Sequence, residues 1–494
     1  MRTRRHAWLA VAAATSLILA ACGGGDSSGG DGDGAAGGGE AAAAACPYDA
    51  LEVTTEPVEI TVWHPYTALG KRTLEALITE YNASQDKVVV QAEGQGSTQE
   101  LHRKIEQAVP GRSLPALVVP DDTKTRYVAD SGQFLAAQAC FDADPDTKGA
   151  IDDLLPIAPA SYTLDGKLWP ASFSTFTALV YYNRAHFTAA GLDPDDAPTT
   201  LDEMIEDARA IKAAGVTENP FVFKPSPFLM EWWLSGVQQT LVNVDNGRGG
   251  GLATESTFDN DTTRAILKKL SDAEAEGVVK VTPSVEGNAD HLLAMATQSA
   301  SMLVDSSGAA STVAGVIEGT VQAEDIKAEF GVDLPPGLKL DLDIGVGPLP
   351  GVKEPGKGQV GGLVWYMTNT VPKEQQAAAW DFMKFINSPE SQVTWGTDGS
   401  TAPVLKSLAE NPELQAAWTG SLGGRWQKVA YDVLAGISTD FPGPVIGPYD
   451  QVRVAIGKCL DEVLLNDGDI DAAVKEADAS ITKVLADYQI DVGG

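Results

Sequence analysis

The sequence predicts an α/β protein of two lobes, each built on a mixed, mainly parallel sheet flanked by helices. Three observations carry this expectation. Strand-like and helical patterns alternate between residues 51 and 119. A second block of the same style opens at Ala178. The globular part, about 440 residues long, exceeds what one hydrophobic core usually supports.

In the first block Val58, Ile60 and Val62 alternate with polar residues, the period of a half-buried strand. Leu74, Leu77, Ile78 and Tyr81 recur at helical spacing, and Val88-Val89-Val90 reads as a buried strand. Leu101, Ile105, Ala108 and Val109 mark a second helix and Leu117-Val118-Val119 a third strand. Strands separated by helices pair in parallel, and such sheets bind ligands beyond the carboxyl ends of their strands. The first strand delivers Trp63, His64, Pro65 and Tyr66 to that edge. The third delivers Asp121, either a hydroxyl acceptor or a helix cap.

In the second block Ala178 to Tyr182 is strand-like. Thr200-Leu201-Asp202-Glu203 is a capping box that opens a helix carrying Met204, Ile205, Ala208 and Ile211. Ala300 to Val304 reads as a strand ending in Asp305-Ser306-Ser307-Gly308. Gly361-Gly362 leads into the apolar strand Leu363 to Met367. A helix with Ala379, Trp380, Met383 and Ile386 stops at Asn387-Ser388-Pro389.

Arg2, Arg4 and Arg5 precede a run of apolar and small residues that closes on Leu19-Ala20-Ala21-Cys22. Charge, short apolar run and small residues in that order form an export signal, too short for a comfortable transmembrane span. The last four residues resemble the lipobox of bacterial lipoproteins, which implies an acylated Cys22 at the start of the mature chain. Residues 1–21 are then a leader and 22–50 a tether. Gly, Ala, Ser and Asp make up almost all of 23–45, with a reach of roughly 25 Å. Gly25-Asp26-Ser27-Ser28-Gly29 and Gly32-Asp33-Gly34-Ala35-Ala36-Gly37 mimic a hydrolase elbow and a dinucleotide fingerprint. Neither has the strand before it or the helix after it that the chemistry needs.

Loss of residues 1–21 removes three arginines and no acid, moving the formal net charge from −33 to −36. So acidic a chain repels phosphate backbones, which excludes nucleic acid as a partner, and repels anionic lipid. The acyl anchor must therefore hold it at the outer face of the bacterial cytoplasmic membrane. With Cys22 acylated, Cys46, Cys140 and Cys459 remain. One arrangement is a Cys46–Cys140 disulfide with Cys459 a buried thiol; the other is three unpaired core residues. There is no C-x-x-C pair, and no metal or organic cofactor is expected.

Several segments resemble, in order, the family 1 extracellular solute-binding proteins of ABC importers. They are Ile60-Thr61-Val62-Trp63-His64, Glu80-Tyr81-Asn82, Trp169-Pro170, Leu179-Val180-Tyr181-Tyr182-Asn183 and Ala190-Gly191-Leu192-Asp193-Pro194. Pro444 to Val454, with Tyr449 and Arg453, is similar to the carboxy-terminal segment of the glycerol-3-phosphate branch. Two departures from that branch stand out. Pro65 to Gly70 lacks its acidic residue, and Gly399-Ser400-Thr401-Ala402-Pro403 lacks its tyrosine.

The resemblance implies a periplasmic-binding-protein-like fold of type II, closing on ligand between its lobes. Lobe 1 would hold 51–176 and 362–388, and lobe 2 177–361 and 389–494. The chain would cross near Phe176–Leu179, Gly361–Leu363 and Ser388–Gln392. It implies a monomer that captures a sugar, polyol or glycerol phosphate and hands it to permease subunits without turnover. An envelope glycan hydrolase or lyase, and a ligand-sensing lipoprotein, are the other classes. With five histidines and no H-E-x-x-H motif, the enzyme reading draws little support.

Ligand candidates follow from chemistry. Hydroxyl-rich ligands need flat aromatic faces and paired polar groups. Trp63, His64 and Tyr66 sit at a strand edge, where the alternative is a core tryptophan and a structural histidine. Ser174 precedes the first crossing. Of the adjacent Trp232 and Trp233, one can stack on ligand while the other packs the core. Asp305, Ser306 and Ser307 end a strand. Gly361 and Gly362 either admit a ligand to the backbone or form a hinge or bulge. By resemblance, Arg453 forks onto a phosphate or sugar hydroxyls, with Tyr449 beside it.

Overall fold

The computed structural model describes residues 45–493, apart from 285–288, 323, 325, 328–330, 332–339, 357 and 400. The leader, Cys22, the two glycine-rich patterns and nearly all of the tether fall outside the described residues. The strands are β1 (Val58–His64), β2 (Val88–Gly94), β3 (Leu117–Val118), β4 (Phe134–Leu135), β5 (Thr163–Leu164), β6 (Lys167–Leu168) and β7 (Ser172–Phe176). After these come β8 (Ala178–Asn183), β9 (Phe221–Phe223), β10 (Val279–Val281), β11 (Met302–Ser306), β12 (Ile344–Pro348) and β13 (Gly361–Thr368).

They make two principal sheets and the small β5–β6 hairpin. The first sheet runs β2-β1-β3-β13-β4, with β7 also on β13. Within it β1 is parallel to β2 and β3, while β13 is antiparallel to β3, β4 and β7. The second runs β10-β9-β11-β8-β12, parallel over its first three strands and antiparallel around β8. The fold is two-lobed and α/β, with one sheet per lobe.

Side-chain alternation sorts the cores. In β13, Trp365 and Met367 join one apolar cluster with Leu74, Tyr81 and Trp380, while Val364 and Tyr366 join another with Leu101, Tyr162 and Trp418. In β8, Val180 and Tyr182 face the cluster of Met204, Trp233 and Ile456, and Leu179 and Tyr181 face Trp426 and Ala430. Period-two burial on both faces explains why these strands read as continuous apolar runs.

The crossings are set by strands that change sheets. β7 pairs with β13 in the first sheet, and β8 begins the second after Thr177 alone. The hydroxyl of Thr177 donates to Gln359 O at 3.0 Å, tying two crossing segments together.

The third crossing differs from expectation. Val393, Leu414 and Trp418, in the helices Pro389–Asp398 and Pro412–Gly420, join the first-lobe core around Leu101 and Tyr366. The helix Leu422–Gly436 then splits its apolar face, with Tyr431 and Leu434 on the first lobe and Trp426 and Ala430 on the second. Residues 389–420 therefore pack with the first lobe, because their large apolar side chains cover the second face of its sheet. The transfer to the second lobe falls along Leu422–Gly436 and the segment after it, not at Ser388–Gln392.

Cys46 and Cys140 form a disulfide that joins the amino-terminal entry to the first lobe. Cys459 is a free buried thiol. Among the described residues no helix is long and apolar enough to cross a membrane.

Candidate ligand site between the lobes

A groove of about 1230 Å³ runs between the lobes. On the first-lobe side it is lined by Gln99, His102, Arg103 and Glu106, on the helix Thr98–Ala108, and by Asp121. On the other side stand Pro227 and Phe228, at the start of the helix Pro227–Gly236, and Asp450 and Arg453 of the helix Tyr449–Leu464. Phe228 is half-buried and meets Trp232 edge-on at 5.3 Å, and Trp232 lies 6.2 Å from the ring of Phe176 at the first crossing.

The charged layer beneath the groove is built around Arg453. Its guanidinium donates from Nε to Glu231 Oε1 at 3.0 Å and from Nη2 to Glu231 Oε2 at 2.9 Å. Glu231 is 2 % exposed and also accepts from the Tyr449 hydroxyl at 3.2 Å. Arg453 lies over the Tyr449 ring at 5.0 Å and reaches to 3.8 Å from Asp121. Burial by itself would lower the pKa of Arg453; the Glu231 charge and hydrogen bonds outweigh it and raise it well above the usual value.

Asp450 joins the lobes, 3.1 Å from His102 Nδ1 and 2.8 Å from Lys124 Nζ. Burial would raise its pKa, but the His102 bond and the Lys124 charge overcome this and hold it well below the carboxylate range. Lys124 is itself buried, with Glu106 at 2.6 Å.

Asp122 behaves differently. Among the described residues its side chain accepts a single hydrogen bond, from the Gly362 N–H at 3.3 Å. Burial first, then the neighbouring Asp121 charge, push its pKa up to about 7. Together with Tyr162, Arg248 and Tyr449 it lines a small polar chamber of about 30 Å³, where the buried Tyr162 hydroxyl has no partner among the described residues.

The candidates named from the sequence divide sharply. Asp121, Tyr449 and Arg453 meet in the interlobe layer. Asp121 is a cap, its side chain accepting from the Thr123 N–H at 3.1 Å, and it also lines the groove. Trp232 turns toward Phe176 and Phe228, while Trp233 is core, stacked on Phe223 and donating to Pro350 O at 2.9 Å.

The others are occupied elsewhere. The Tyr66 hydroxyl is 2.5 Å from Ser174 Oγ and accepts from Trp365 Nε1, and His64 Nδ1 accepts from the Tyr66 N–H at 3.2 Å. Tyr66, Ser174 and Trp365 form a side-chain network inside the first lobe, with His64 bonded to the Tyr66 backbone, and burial followed by the Lys71 charge lowers His64 to about 4. Trp63 has the Lys104 ammonium over its ring at 3.8 Å, so a cation covers that face.

Asp305 pairs with His291 Nε2 at 2.7 Å, and Ser306 Oγ caps the Gly308 N–H. Ser307 Oγ accepts from the Thr177 N–H at the first crossing. Gly361 and Gly362 are places of close strand approach. A Cβ on Gly361 would meet Phe176 at 2.9 Å, and one on Gly362 would meet Ser174 O at 2.3 Å.

Sequence reading missed Phe228, Glu231 and Asp122. A signal existed for Phe228, because Pro227 starts a helix just after the buried strand Phe221–Phe223, at the edge where such sheets bind ligands. A buried glutamate inside an apolar helix gave no periodic signal.

The fold is two-lobed, with a groove along the lobe interface. The family is shown by sequence: the profile of the bacterial extracellular solute-binding proteins matches residues 76–419, and the chain belongs to that family. Curated relatives include sn-glycerol-3-phosphate-binding periplasmic proteins (UgpB). That of Rhizobium meliloti is 29 % identical over 32 % of this chain and 37 % of its own length. That of Brucella abortus is 27 % identical over 36 % of this chain and 40 % of its own. The chain thus spans about two fifths of the length of the curated relatives it matches.

Solved structures extend the likeness to the whole fold. UgpB of Mycobacterium tuberculosis in complex with glycerophosphocholine has a TM-score of 0.67 at 19 % identity, covering 88 % of this chain and 100 % of that one. The GacH receptor of Streptomyces glaucescens, solved unliganded and with acarbose, gives 0.67 at 20 %, covering 87 % and 99 %. The cyclic α-maltosyl-1,6-maltose binding protein of Arthrobacter globiformis gives 0.65 at 20 %, covering 87 % and 100 %.

Proposed function

We propose that this protein is the lipid-anchored solute-binding subunit of an ABC importer, and that its ligand is an uncharged, hydroxyl-rich molecule, a saccharide or polyol. The observation that carries the ligand class is the clamp of Glu231 on Arg453. A phosphate would have to displace a buried, bidentate carboxylate to reach that guanidinium, leaving an uncompensated charge behind. The groove adds to the barrier, with seven carboxylates against three lysine or arginine side chains among its lining residues. Hydroxyl groups suit the same place, since each carboxylate accepts from them and the ring of Phe228 offers an apolar face to sugar C–H surfaces.

Thermal shift against mono- and oligosaccharides, polyols, glycerol-3-phosphate and glycerophosphodiesters tests this reading. A ligand at a hundred times its Kd adds about 2.7 kcal/mol to stability by mass action. A shift with a neutral sugar or polyol is expected. A shift confined to glycerol-3-phosphate would overturn the ligand class and leave the transport role standing. A ligand recovered chemically altered would overturn both.

Two further outcomes are expected. Phe228→Ala should weaken binding of the neutral ligand by about tenfold or more while leaving the melting temperature nearly unchanged, because the ring is half-exposed and removes little core; equal affinity in calorimetry would take it out of the site. Cys22→Ala should release the protein from membranes, and persistent sedimentation with them would defeat the anchor reading.

A further inference from the structure

Residues 243–251 make an unusual backbone turn on the second lobe. Val244 (φ 56°, ψ 52°), Asp245 (φ 52°, ψ 50°) and Asn246 (φ 58°) are consecutive left-handed residues, and none is glycine. A β-branched residue there is a genuine outlier, and such conformations persist only where the surroundings over-determine them.

The surroundings do so here. Asn246 Oδ1 accepts from the Leu241 N–H at 2.9 Å and the Val242 N–H at 3.3 Å. Asn243 Oδ1 accepts from the Thr254 N–H at 2.9 Å. The Val445 N–H donates to Asn246 O at 3.0 Å. At Gly247 (φ 77°) a Cβ would lie 2.1 Å from Val445 O, so only glycine fits.

What the turn presents is Arg248. Its guanidinium donates to four backbone carbonyls: Nε to Gly443 O at 2.6 Å, Nη1 to Ala160 O at 3.2 Å, and Nη2 to Ser161 O at 3.0 Å and Pro442 O at 3.2 Å. Ala160 and Ser161 belong to the helix Ile157–Tyr162 of the first lobe. Pro442 and Gly443 belong to the segment that carries the chain into the helix with Tyr449 and Arg453. One side chain of the second lobe thus ties the first lobe to the third crossing. Desolvation lowers its pKa to about 10, so it remains a cation at neutral pH.

We propose that Arg248 is a positioning residue, an interlobe clamp inserted by the left-handed turn, which fixes the spacing of the lobes that carry Asp122 on one side and Tyr449 and Arg453 on the other. The planar fork suits the task, since it addresses acceptors on separate segments at once, which an ammonium cannot do with fixed geometry. The clamp acts on lobe geometry whatever the solute, and stands independently of the ligand class proposed above.

The test is an interlobe distance, measured by double electron–electron resonance on the full-length chain without added ligand. Nitroxides are placed at Glu75→Cys in the first lobe and Lys280→Cys in the second, both exposed positions. Arg248→Ala is expected to shift or broaden the distance distribution by several ångströms. Arg248→Lys, which keeps the charge and loses the fork, should move it in the same direction by less. Should the alanine variant fail to fold, the lysine variant decides. A distribution that stays at the wild-type position in every folded variant, even with a lowered melting point, would overturn the clamp and leave Arg248 a local structural residue.

Discussion

Arg453→Ala is expected to cost about 3–5 kcal/mol of folding stability, the usual penalty for breaking a buried ion pair from one side. Glu231 is 2 % exposed and, among the described residues, makes its charged contacts with this one guanidinium. Removing the cation leaves a buried carboxylate with only the Tyr449 hydroxyl as donor among those residues. Guanidinium unfolding of the wild type and variant measures the loss directly; a change under about 1 kcal/mol would mean that water already reaches and solvates Glu231. Pairing the change with Glu231→Leu should recover most of the stability, because no charge then remains to be desolvated. Glu231→Gln is the complementary probe. It frees Arg453 from its counter-charge, and should raise affinity for glycerol-3-phosphate above that of the wild type.

Asp122→Asn should raise stability at alkaline pH and leave it unchanged in acid. The folded-state pKa of Asp122 is about 7 against an ordinary 3.8. The native protein therefore holds this proton more tightly than the unfolded chain does. Between about pH 4 and 7 the unfolded state has lost the proton and the native state has not, so this group's contribution falls as pH rises through that window. Above about pH 7 the native carboxylate is charged, short of water and beside Asp121. At about 1.36 kcal/mol per unit, the neutral amide should gain about 2–4 kcal/mol near pH 8.5, shrinking to nothing near pH 4. Urea unfolding across that pH range reads this, and a gain that did not vary with pH would show that the benefit comes from packing and not from charge.

Much of the fold is legible in the sequence alone. Thr200 and Glu203 make both bonds of the capping box, at 3.1 and 3.2 Å, because the motif is local and needs only four residues. Ser388-Pro389 ends one helix and caps the next, with Ser388 Oγ accepting from the Ser391 N–H. The strand around Val62 is visible through its alternation, and those around Val180 and Met367 through apolar content.

The site is less legible, for a physical reason. Tyr66 and Ser174 are 108 residues apart in sequence and bond each other. Both have the composition of a ligand contact, and whether a polar group meets a solute or another side chain depends on what the distant chain brings to it. Arg453 stands out in the sequence only through the resemblance of its segment. That it is held by Glu231, 222 residues earlier, is not legible there.

By itself, then, the sequence determined the alternation of strands and helices, the acidic balance, and the family's order of motifs. These rest on local periodicity, caps and composition, which need no knowledge of distant contacts. Only the tertiary structure decided that 389–420 covers the first lobe, that Trp232 and not Trp233 turns to the crossing, and that Glu231 neutralises Arg453. It alone placed Arg248 across the lobes. Each of these depends on pairings between residues far apart in the chain, where the cost of an unpaired buried charge or an uncovered apolar face selects one partner among many.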